Sequence, residues 1–444
     1  MLSPRRRGRV CHGRVIGVVA GCAALVLGIT GPAASAAPHH DPARAVLAAH
    51  DGWGSAGPGT TGGSAATADH IYTVSSRAEL VAAFKDAGDA PKIIKVRGTL
   101  DFNTDDTGAA LSCDDYAAPG YRLEQYLADY DPAVWGRDQV PSGPQEDLRA
   151  ASAADQAARV EVKVPANTTV IGLGSHARIL SGDLQIENVD NVIVRNLTFE
   201  DAFDCFPQWD PTDGDTGNWN SEYDNLVVYG ATHVWLDHNT FTDGRRPDSA
   251  QPYYFGRIYQ QHDGELDVVK GANYVTASWN AFTDHDKTLL FGNSDSATAT
   301  DTDKIKVTLH HNLFRSITER APRVRFGQVD SYNNHFVVTP GQEYAYTFGV
   351  GKNSRLVAEH NAITLAPGFD PATILKKWSE APITADDNYV NGRRTDLIAV
   401  HNAGIPAEHL TSGAGWTPTL RTRVDNPRAV PHLVDRGAGA GKIH

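Results

Sequence analysis

Charged residues whose types could do chemistry occur in this chain in a fixed order, with acids first and bases after them. In chain order they are Glu222, Asp224, Asp263, Asp267, Lys287, Arg320 and Arg325. Closely spaced carboxylates without a histidine or cysteine partner favour a hard cation such as Ca²⁺ over zinc or copper. Lysine and arginine bind anions and stabilise negative charge that develops in a reaction. The order suggests one site that holds a cation, a polyanion and a strong base.

A repeat in the centre of the chain indicates how these residues are positioned. An aliphatic residue is followed by asparagine five positions later and by phenylalanine or isoleucine seven positions later. The copies are Val234/Asn239/Phe241, Val275/Asn280/Phe282, Val307/Asn312/Phe314, Val329/Asn334/Phe336 and Leu356/Asn361/Ile363, with a weaker one at Val192/Asn196/Phe199. The shortest separation, from Val307 to Val329, is 22 residues, about one coil of a β-solenoid. Longer separations are that coil with loops inserted.

Alternating apolar and polar residues around the repeat predict half-buried strands, and the fold class we expect is all-β. The repeated valines and phenylalanines are predicted core. The repeated asparagine is predicted to be structural, since its side chain bonds locally and it tolerates a left-handed backbone. The histidines one position before it, His238, His311 and His360, are expected to stack rather than to catalyse.

Segments outside the repeat complete this architecture. The apolar residues of Ser75–Ala87 follow a helical pattern, which predicts a short helix that caps the open end of the stack. We expect the core coils over about residues 160–365 and a C-terminal tail packed on the outside. The segments 243–261 and 294–303 are predicted to be loops that leave the coil.

Spacing relative to the repeat places the charged residues together. Asp224, Asp267 and Arg320 lie ten, eight and nine residues before a repeat start. Lys287 lies twelve residues after the start at Val275, which in a coil of 22 residues is equivalent to ten before the next. All four then map to nearly the same strand on successive coils, and neighbouring strands lie about 4.8 Å apart. Carboxylates on adjacent coils can share a cation at that spacing. Residues two apart, such as Glu222 and Asp224, point to one face of a strand.

Less specific interpretations fit some of these residues taken singly. The acids alone are equally consistent with a solvated acidic edge. Arg320 alone is more typical of a surface ion pair, for example with Glu319, and Pro322 of a closed turn. Their alignment with Lys287 favours a site.

The first 36 residues have the pattern of an export signal. Five arginines precede an apolar run, Val15–Leu27, and the small-residue site Ala34–Ala36 follows. Neither this run nor a later segment reaches the roughly 18 apolar residues of a membrane span. We therefore expect residues 37–444 to form one secreted domain without a membrane partner. The general secretory and twin-arginine export routes both fit.

Composition bears on the partners and the redox compartment. The formal net charge is −13 and becomes more negative when the signal leaves, since it holds five arginines and no acid. An acidic chain lacks the basic face typical of nucleic-acid binding, so no nucleic-acid partner is expected. The cysteines left after cleavage, Cys113 and Cys205, suit one disulfide in an oxidising compartment.

Five motifs occur in a fixed order over most of the chain. They are Asn167-Thr-Thr-Val-Ile-Gly-Leu-Gly, Val234-Trp-Leu-Asp-His, Gln261-His-Asp-Gly-Glu-Leu-Asp, Asp284-His-Asp-Lys-Thr and Thr318-Glu-Arg-Ala-Pro-Arg-Val-Arg. With them the chain resembles the pectate lyase family of extracellular enzymes. The resemblance implies a right-handed parallel β-helix, with long loops on one side, that acts as a monomer on polygalacturonate or pectin.

The resemblance also implies roles for individual residues. Calcium ligands fall on the acids Glu222, Asp224, Asp263 and Asp267. The catalytic arginine falls on Arg320, and contacts to the substrate carboxylate fall on Lys287 and Arg325. His285, beside the lysine, is assigned to the substrate site with them. Asp237 and His238 belong to a further family motif, and we interpret them as structural because they map to another strand.

The implied reaction is β-elimination on a (1→4)-α-D-galacturonan. A base removes the C5 proton, and the C4–O glycosidic bond breaks to leave 4,5-unsaturated oligogalacturonates. Calcium neutralises negative charge at the substrate carboxylate. Arg320 must be neutral to act as the base, although the ordinary pKa of arginine is about 12.5 or higher. We expect nearby cations to lower that pKa and to favour activity at alkaline pH.

Three alternatives share parts of this pattern. Pectin lyase acts on methylated substrate and needs neither calcium nor carboxylate-binding cations. A galacturonan hydrolase needs a pair of carboxylates, which Asp263 and Asp267 could supply. A non-catalytic β-helix wall protein would bind calcium and polyuronate without turnover.

Overall fold

The structure is a computed structural model that describes Gly13 and residues 41–443 of the chain. The predicted export signal, residues 1–36, lies outside the described residues except for Gly13. None of the helices in the described part of the chain is both long and apolar enough to cross a membrane.

Three long parallel sheets make up the described protein. Sheet 1 contains Ile71–Val74, Lys92–Val96, Thr168–Gly172, Asp190–Arg195, Thr232–Asp237, Asn273–Ser278, Lys306–His310, Gln328–Tyr332, Arg355–Glu359 and Ile383–Thr384. Sheet 2 contains Glu161–Lys163, Asp183–Glu187, Leu226–Tyr229, Leu266–Val269, Leu290–Phe291, Arg323–Val324, Phe348–Val350 and Leu375–Lys377. Sheet 3 contains Thr99–Asp101, Arg178–Leu180, Thr198–Glu200, Thr240–Thr242, Ala281–Lys287, Leu313–Glu319, His335–Val338, Ala362–Leu365, Asn388–Val390 and Arg393–Thr395.

The chain winds from sheet 1 to sheet 3 and then to sheet 2 in each coil. One coil takes Thr232–Asp237, Thr240–Thr242 and Leu266–Val269 before the chain returns to sheet 1 at Asn273–Ser278. Neighbouring strands of these sheets pair in parallel, apart from the antiparallel strand Arg393–Thr395. This is a right-handed parallel β-helix, as predicted.

The aliphatic and aromatic residues of the repeat form the core, as predicted. Val234 pairs with Val192 and Val275 in sheet 1 and has no exposed surface. The stacked rings, with centroids 4.8–5.0 Å apart, are those of Phe199, Phe241, Phe282, Phe314 and Phe336. Burial of one such ring contributes about 1.5–3 kcal/mol relative to its exposure.

The repeated asparagines form a hydrogen-bonded ladder between sheets 1 and 3. The ladder consists of Asn239, Asn280, Asn312, Asn334, Asn361 and Asn388. At each step but the last, where the distance is 3.1 Å, a backbone N–H donates to the Oδ1 of the next asparagine at 2.9 Å. Asn388 extends the pattern beyond the predicted copies, and Asn196 stays off it.

The turn at the ladder depends on the residue before each asparagine. His238 and His311 have φ of 52° and 56°. The asparagine is structural, as predicted, but through its side-chain bonds to the next coil, while the residue before it takes the left-handed conformation. His238 and His311 stack on Trp279 at 5.9 and 4.5 Å between centroids, which confirms their predicted role. His360 instead contacts Asp387, with 2.9 Å between Nδ1 and Oδ2.

The stack extends beyond the predicted residues 160–365 at both ends. Its first strand is Ile71–Val74 and its last parallel strand is Asn388–Val390. The helix Arg77–Ala87 begins after Ser76, whose side chain accepts a hydrogen bond from the N–H of Glu79. Its residues Leu80, Ala83 and Phe84 join the main core at the N-terminal end of the stack, where the capping helix was predicted. The prediction began the core too late because the early strands precede the first copy of the repeat.

Short helices accompany the sheets. The other α-helices are Cys113–Tyr116, Leu123–Asp129, Pro144–Val160, Thr298–Asp301, Leu397–Gly404 and Val430–Gly437. The 3-10 helices are Pro42–Arg44, Trp53–Ser55, Ala68–His70, Asp248–Ala250, Pro371–Ile374 and Pro406–Glu408. The C-terminal helix Val430–Gly437 packs Val430 and Val434 against Ala362, so the tail lies outside the core.

Long excursions leave the coils between sheet 3 and sheet 2. They span residues 102–160, 201–225 and 243–265. Two antiparallel hairpins within them pair Gln208–Asp210 with Asn218–Asn220 and Tyr253–Tyr254 with Arg257–Ile258. The disulfide predicted between Cys113 and Cys205 is present and joins two of the excursions.

Candidate active site

The predicted charged residues meet where the chain turns from sheet 3 into sheet 2, a place called the junction below. Lys287 ends one strand of sheet 3 and lies in register with Glu319, the residue before Arg320. Asp267 lies within a strand of sheet 2, and Asp224 precedes the neighbouring one. The prediction that all four share one strand is therefore wrong. The coil bends at this point. Residues at equal spacing along the chain therefore lie on two different sheets, one on each side of the bend.

Asp224 and Asp267 face each other across Gly264. Asp224 Oδ1 accepts the N–H of Gly264 at 2.7 Å, and Asp267 Oδ1 accepts the N–H of Leu290 at 2.9 Å. A Cβ atom on Gly264 would lie 2.5 Å from Asp224 Oδ1 and 2.8 Å from Asp267 Oδ1. Because glycine carries no side chain, the two carboxylates can approach one small volume.

These two carboxylates resist ionisation in the metal-free protein. Burial and then the charges of Asp267 and Asp263 raise the pKa of Asp224 well above its usual range. Burial and the charge of Asp263 raise the pKa of Asp267 to about 7. A divalent cation would offset both the burial of these charges and the repulsion between them. Its preferred ligands are hard oxygens such as these. The residues present thus fit calcium.

Asp263 and Glu222 differ in their relation to this pair. Asp263 is partly exposed and contacts Lys287, with 3.5 Å between Oδ1 and Nζ. Glu222 is exposed, and among the described residues no hydrogen bond or ion pair joins its side chain to the three aspartates. The stretch before Leu226 is not a strand, so two-residue spacing does not align Glu222 with Asp224. Its role as a ligand stays a prediction.

Asp183 is an acid of this region that the sequence interpretation missed. It begins the sheet 2 strand that pairs with the strand after Asp224, and it is 2% exposed. Burial, offset in part by a hydrogen bond from Gln185, raises its pKa to about 8, and Glu161 and Asp267 add to the rise. The sequence offered one signal for this residue: Asp183 begins a strand that aligns with the strand that follows Asp224.

Arg320 lies at the base-rich side of the junction. Its backbone is left-handed, with φ of 60°, and its Nε donates to Glu319 Oε1 at 3.0 Å. Burial lowers the pKa of Arg320, but Glu319 and Asp263 raise it, and the net shift is upward. The prediction of a lowered pKa is wrong for the metal-free protein, because acids rather than cations dominate its surroundings.

Arg325 is held on the other side of this segment. Its Nε donates to Asp295 Oδ1 at 2.6 Å and its NH1 to the carbonyl of Gly292 at 2.8 Å. Asp295 belongs to the predicted loop 294–303, so this loop reaches the site. Lys287, Arg320 and Arg325 together give the junction a group of cations beside its aspartates.

His285 is buried beneath the aspartates and does not reach solvent, in contrast to its predicted place among the substrate contacts. Its side chain is 1% exposed. Nδ1 lies 2.6 Å from Asp243 Oδ1, and Nε2 lies 2.8 Å from the carbonyl oxygen of Asp263. Lys287, two residues on, lies on the same face of the strand but at its end, where Nζ reaches Asp263 Oδ1. His285 thus holds the backbone of Asp263.

A second group of acids with a histidine lies beneath the junction. Asp243, Asp248 and His262 offer ligand atoms close enough together for a metal ion. Nδ1 of His262 is 2.9 Å from Asp248, and Nε2 is 3.0 Å from Asp201. Burial lowers the pKa of His262, but Asp243, Asp201 and Asp248 raise it to about 9. An imidazolium paired on both sides accounts for this group without a metal.

The family model described as pectate lyase matches residues 23–122 and 143–412. The chain belongs to the pectate lyase family. Curated pectate lyases agree: one from Bacillus subtilis is 47% identical over 426 residues, covering 95% of this chain and 98% of the relative. Pectate lyase A of Dickeya chrysanthemi is 36% identical, covering 78% of each chain.

Solved structures of pectate lyases share the fold. A mutant of the Bacillus subtilis pectate lyase matches with a TM-score of 0.86 at 46% identity, covering 91% of this chain and 100% of that chain. A pectate lyase bound to a hexasaccharide matches with a TM-score of 0.86 at 45% identity and the same coverage. This pectate lyase is therefore an enzyme, and the non-catalytic interpretation is set aside.

Proposed function

We propose that this pectate lyase cleaves (1→4)-α-D-galacturonan by calcium-dependent β-elimination, with Arg320 as the base and 4,5-unsaturated oligogalacturonates as products. The observation that carries the proposal is the meeting of paired aspartates with Lys287, Arg320 and Arg325 at one bend of the coil. The hexasaccharide-bound pectate lyase of the same fold supports an oligosaccharide substrate.

Asp224, Asp263 and Asp267 would hold the calcium ion. When bound, the ion neutralises the carboxylates of the protein and the carboxylate next to the C5 of the substrate. Its ligand geometry depends on Gly264, which leaves room between Asp224 and Asp267, and on His285, which fixes the carbonyl of Asp263.

The reaction needs one proton acceptor and donors for the substrate carboxylate. Neutral Arg320 takes the C5 proton, the C5–H electron pair forms the C4=C5 double bond, and the C4–O bond breaks. The leaving oxygen takes a proton from water. Lys287 and Arg325 donate to the substrate carboxylate, where negative charge develops. The acids around Arg320 hold its proton in the metal-free protein, so activity should require calcium and rise with pH.

The first test follows the absorbance of the conjugated product during incubation with polygalacturonate at alkaline pH. Wild-type protein with calcium should give a steady rise, and chelator should abolish it. Arg320→Lys should lower the rate about 10²–10⁴-fold, the usual contribution of a positioned base. The control is His432→Gln, an exposed residue of the C-terminal helix, which should behave as wild type.

Other outcomes of this test identify the alternatives. New reducing ends without absorbance would show hydrolysis. A calcium-independent rate that is higher on methyl-esterified pectin would show a pectin lyase. An undiminished rate in Arg320→Lys would contradict the role of Arg320 while leaving elimination in place.

We further propose that the protein is secreted as a monomer after cleavage of residues 1–36. The disulfide between Cys113 and Cys205 supports an oxidising destination. N-terminal sequencing of exported protein should begin at Ala37, and its size in solution should be that of one chain. Retention of the first 36 residues would contradict the signal.

A further inference from the structure

An exposed tryptophan lies on the sheet that carries the active-site arginines. Trp378 follows the strand Leu375–Lys377 of sheet 2 and keeps 45% of its surface exposed. In that sheet Lys376 pairs with Gly349, which pairs in turn with Arg323. Arg323 lies between Arg320 and Arg325 in sequence. The tryptophan therefore lies two strand spacings, about 10 Å, along the sheet from the catalytic segment.

Arg323 connects this tryptophan to the active site. Its guanidinium carbon lies 4.0 Å from the centroid of the Trp378 ring, within the range of a cation–π contact. The Nζ of Lys376 lies 5.5 Å from the same ring, and the ring of Tyr346 lies 6.2 Å away. Tyr346 is buried and Lys376 pairs with Glu408, so the exposed Trp378 and the guanidinium of Arg323 are the groups of this cluster that could meet a ligand.

Arg323 differs from the other cations of the junction in its partners. Arg320, Arg325 and Lys287 each contact a carboxylate, those of Glu319, Asp295 and Asp263. Among residues 41–443, no acid lies within ion-pair distance of Arg323, and its buried Nε has no hydrogen-bond partner. Its charge is thus left without an acidic partner, and an anion that reaches the terminal nitrogens of the guanidinium is favoured.

The electrostatics of Arg323 point the same way. Burial, and then the charges of Arg325 and Arg320, lower its pKa to about 10. It therefore keeps its charge at neutral pH, but the neighbouring cations repel it. A bound carboxylate would relieve that repulsion.

Gly349 lets the surface form. A Cβ atom on it would lie 2.9 Å from Cε2 of Tyr346 and 3.2 Å from Cβ of Arg323. Any larger residue would push Tyr346 and Arg323 apart. The position between the strands of Arg323 and Lys376 is thus kept free of side chain.

We propose that Trp378 and Arg323 form a binding subsite for a further galacturonate unit of the polymer, outside the unit that reacts. The indole offers an apolar surface to the C–H groups of the sugar ring, and the guanidinium binds the carboxylate of the same unit. This inference rests on the proposed galacturonan substrate. It makes the enzyme more effective on long chains than on short ones.

The test compares oligogalacturonates of increasing length in wild type, Trp378→Ala and Arg323→Gln. Each variant should lower kcat/KM about tenfold for chains above one particular length, so that the ratio of long-chain to short-chain kcat/KM falls by that factor. Val424→Ala is the control, since Val424 is 43% exposed and lies in the C-terminal tail. A loss of the same factor at every length, or no loss, would overturn the subsite.

Binding without turnover separates the subsite from the proposed reaction. In the Arg320→Lys background with calcium, a long oligogalacturonate should change the tryptophan fluorescence, and Trp378→Phe should remove most of that change. If wild type forms no unsaturated product but this signal is present, the reaction fails and the subsite stands. If wild type is active but Trp378→Phe leaves the signal intact, the subsite is wrong.

Discussion

At the scale of single residues, the active site depends on a glycine as much as on its acids. Asp224 and Asp267 approach each other only because Gly264 leaves their common volume empty. Their raised pKa values show that the metal-free arrangement is unfavourable for charged carboxylates. The site is therefore preorganised for a cation at a cost to the free protein.

Gly264→Ala should weaken calcium binding at least tenfold. The new methyl group would lie 2.5 Å from Asp224 Oδ1, so at least one carboxylate must move away. Isothermal titration with CaCl₂ at pH 8 measures the effect. Asp224→Asn is the matched comparison, since it removes a charge and adds no volume.

The folded structure should survive this change, because the displaced groups are side chains that do not belong to the hydrophobic core of the coils. Circular dichroism and thermal melting in chelator check that point. Unchanged calcium affinity in a folded Gly264→Ala protein would contradict the assignment of Asp224 and Asp267 to the ion.

At the scale of elements, the bends of the coil are fixed by different means. The bend between sheets 1 and 3 carries the asparagine ladder and is regular. In residues 41–443 the bend between sheets 3 and 2 has no such ladder, and it holds the excursions and the active site. Regular hydrogen bonds on one side of each coil thus allow sequence variation and function on the other.

Asn312→Ala should destabilise the protein by about 2–5 kcal/mol. Asn312 Oδ1 accepts the N–H of Asn280 at 2.9 Å, and its Nδ2 donates to the carbonyl of Ala277 at 2.9 Å. Both backbone groups are buried, and each loses its partner at a cost of about 1–3 kcal/mol. Denaturant unfolding measures the change.

The exposed Asn293 provides the control for the ladder. Asn293→Ala should shift the denaturation midpoint only slightly, since surface changes lie within about 0.5 kcal/mol. Equal shifts for Asn293→Ala and Asn312→Ala would show that the ladder contributes no special stability.

At the scale of the whole molecule, segments from both ends of the chain cover sheet 1 around two buried histidines. His310 Nε2 lies 3.4 Å from Asp51 Oδ1, and His311 Nε2 lies 3.0 Å from Asp425 Oδ2. Burial lowers the pKa of each histidine to about 4. These residues connect the stability of the whole fold to pH.

His310 should make the protein less stable as pH falls from about 6.5 to about 4. In that window the unfolded chain binds a proton that the folded protein excludes, so the free energy of unfolding decreases with falling pH. The shift from 6.5 to about 4 corresponds to about 3 kcal/mol. Comparing the pH dependence of unfolding in wild type and His310→Phe isolates this contribution.

That comparison is needed because buried carboxylates act in the opposite sense. The raised pKa of Asp183 contributes stability at low pH that is lost as pH rises through about 8. The difference between wild type and His310→Phe removes these shared contributions. The exposed His432 gives the control, and a His432→Gln protein with the same flattened profile would contradict the role of His310.

The sequence by itself determined the coil and its core. Valine, asparagine and phenylalanine recur at fixed spacing because each coil must present the same residue at the same place to its neighbours. The meeting of Asp224, Asp267, Lys287 and Arg320 was also predicted, since a short repeat converts positions along the chain into positions in space, although the repeat did not give the strand of each. The disulfide was predicted separately, because two cysteines remain after the export signal.

Only the tertiary structure decided how side chains meet at the irregular bend. Asp183, the inward turn of His285 and the unpaired Arg323 beside Trp378 depend on contacts between coils that the repeat does not encode. The raised pKa of Arg320 has the same origin, because its surroundings combine acids from separate coils. Long insertions break the spacing at this bend, and there the order of residues no longer gives their distances.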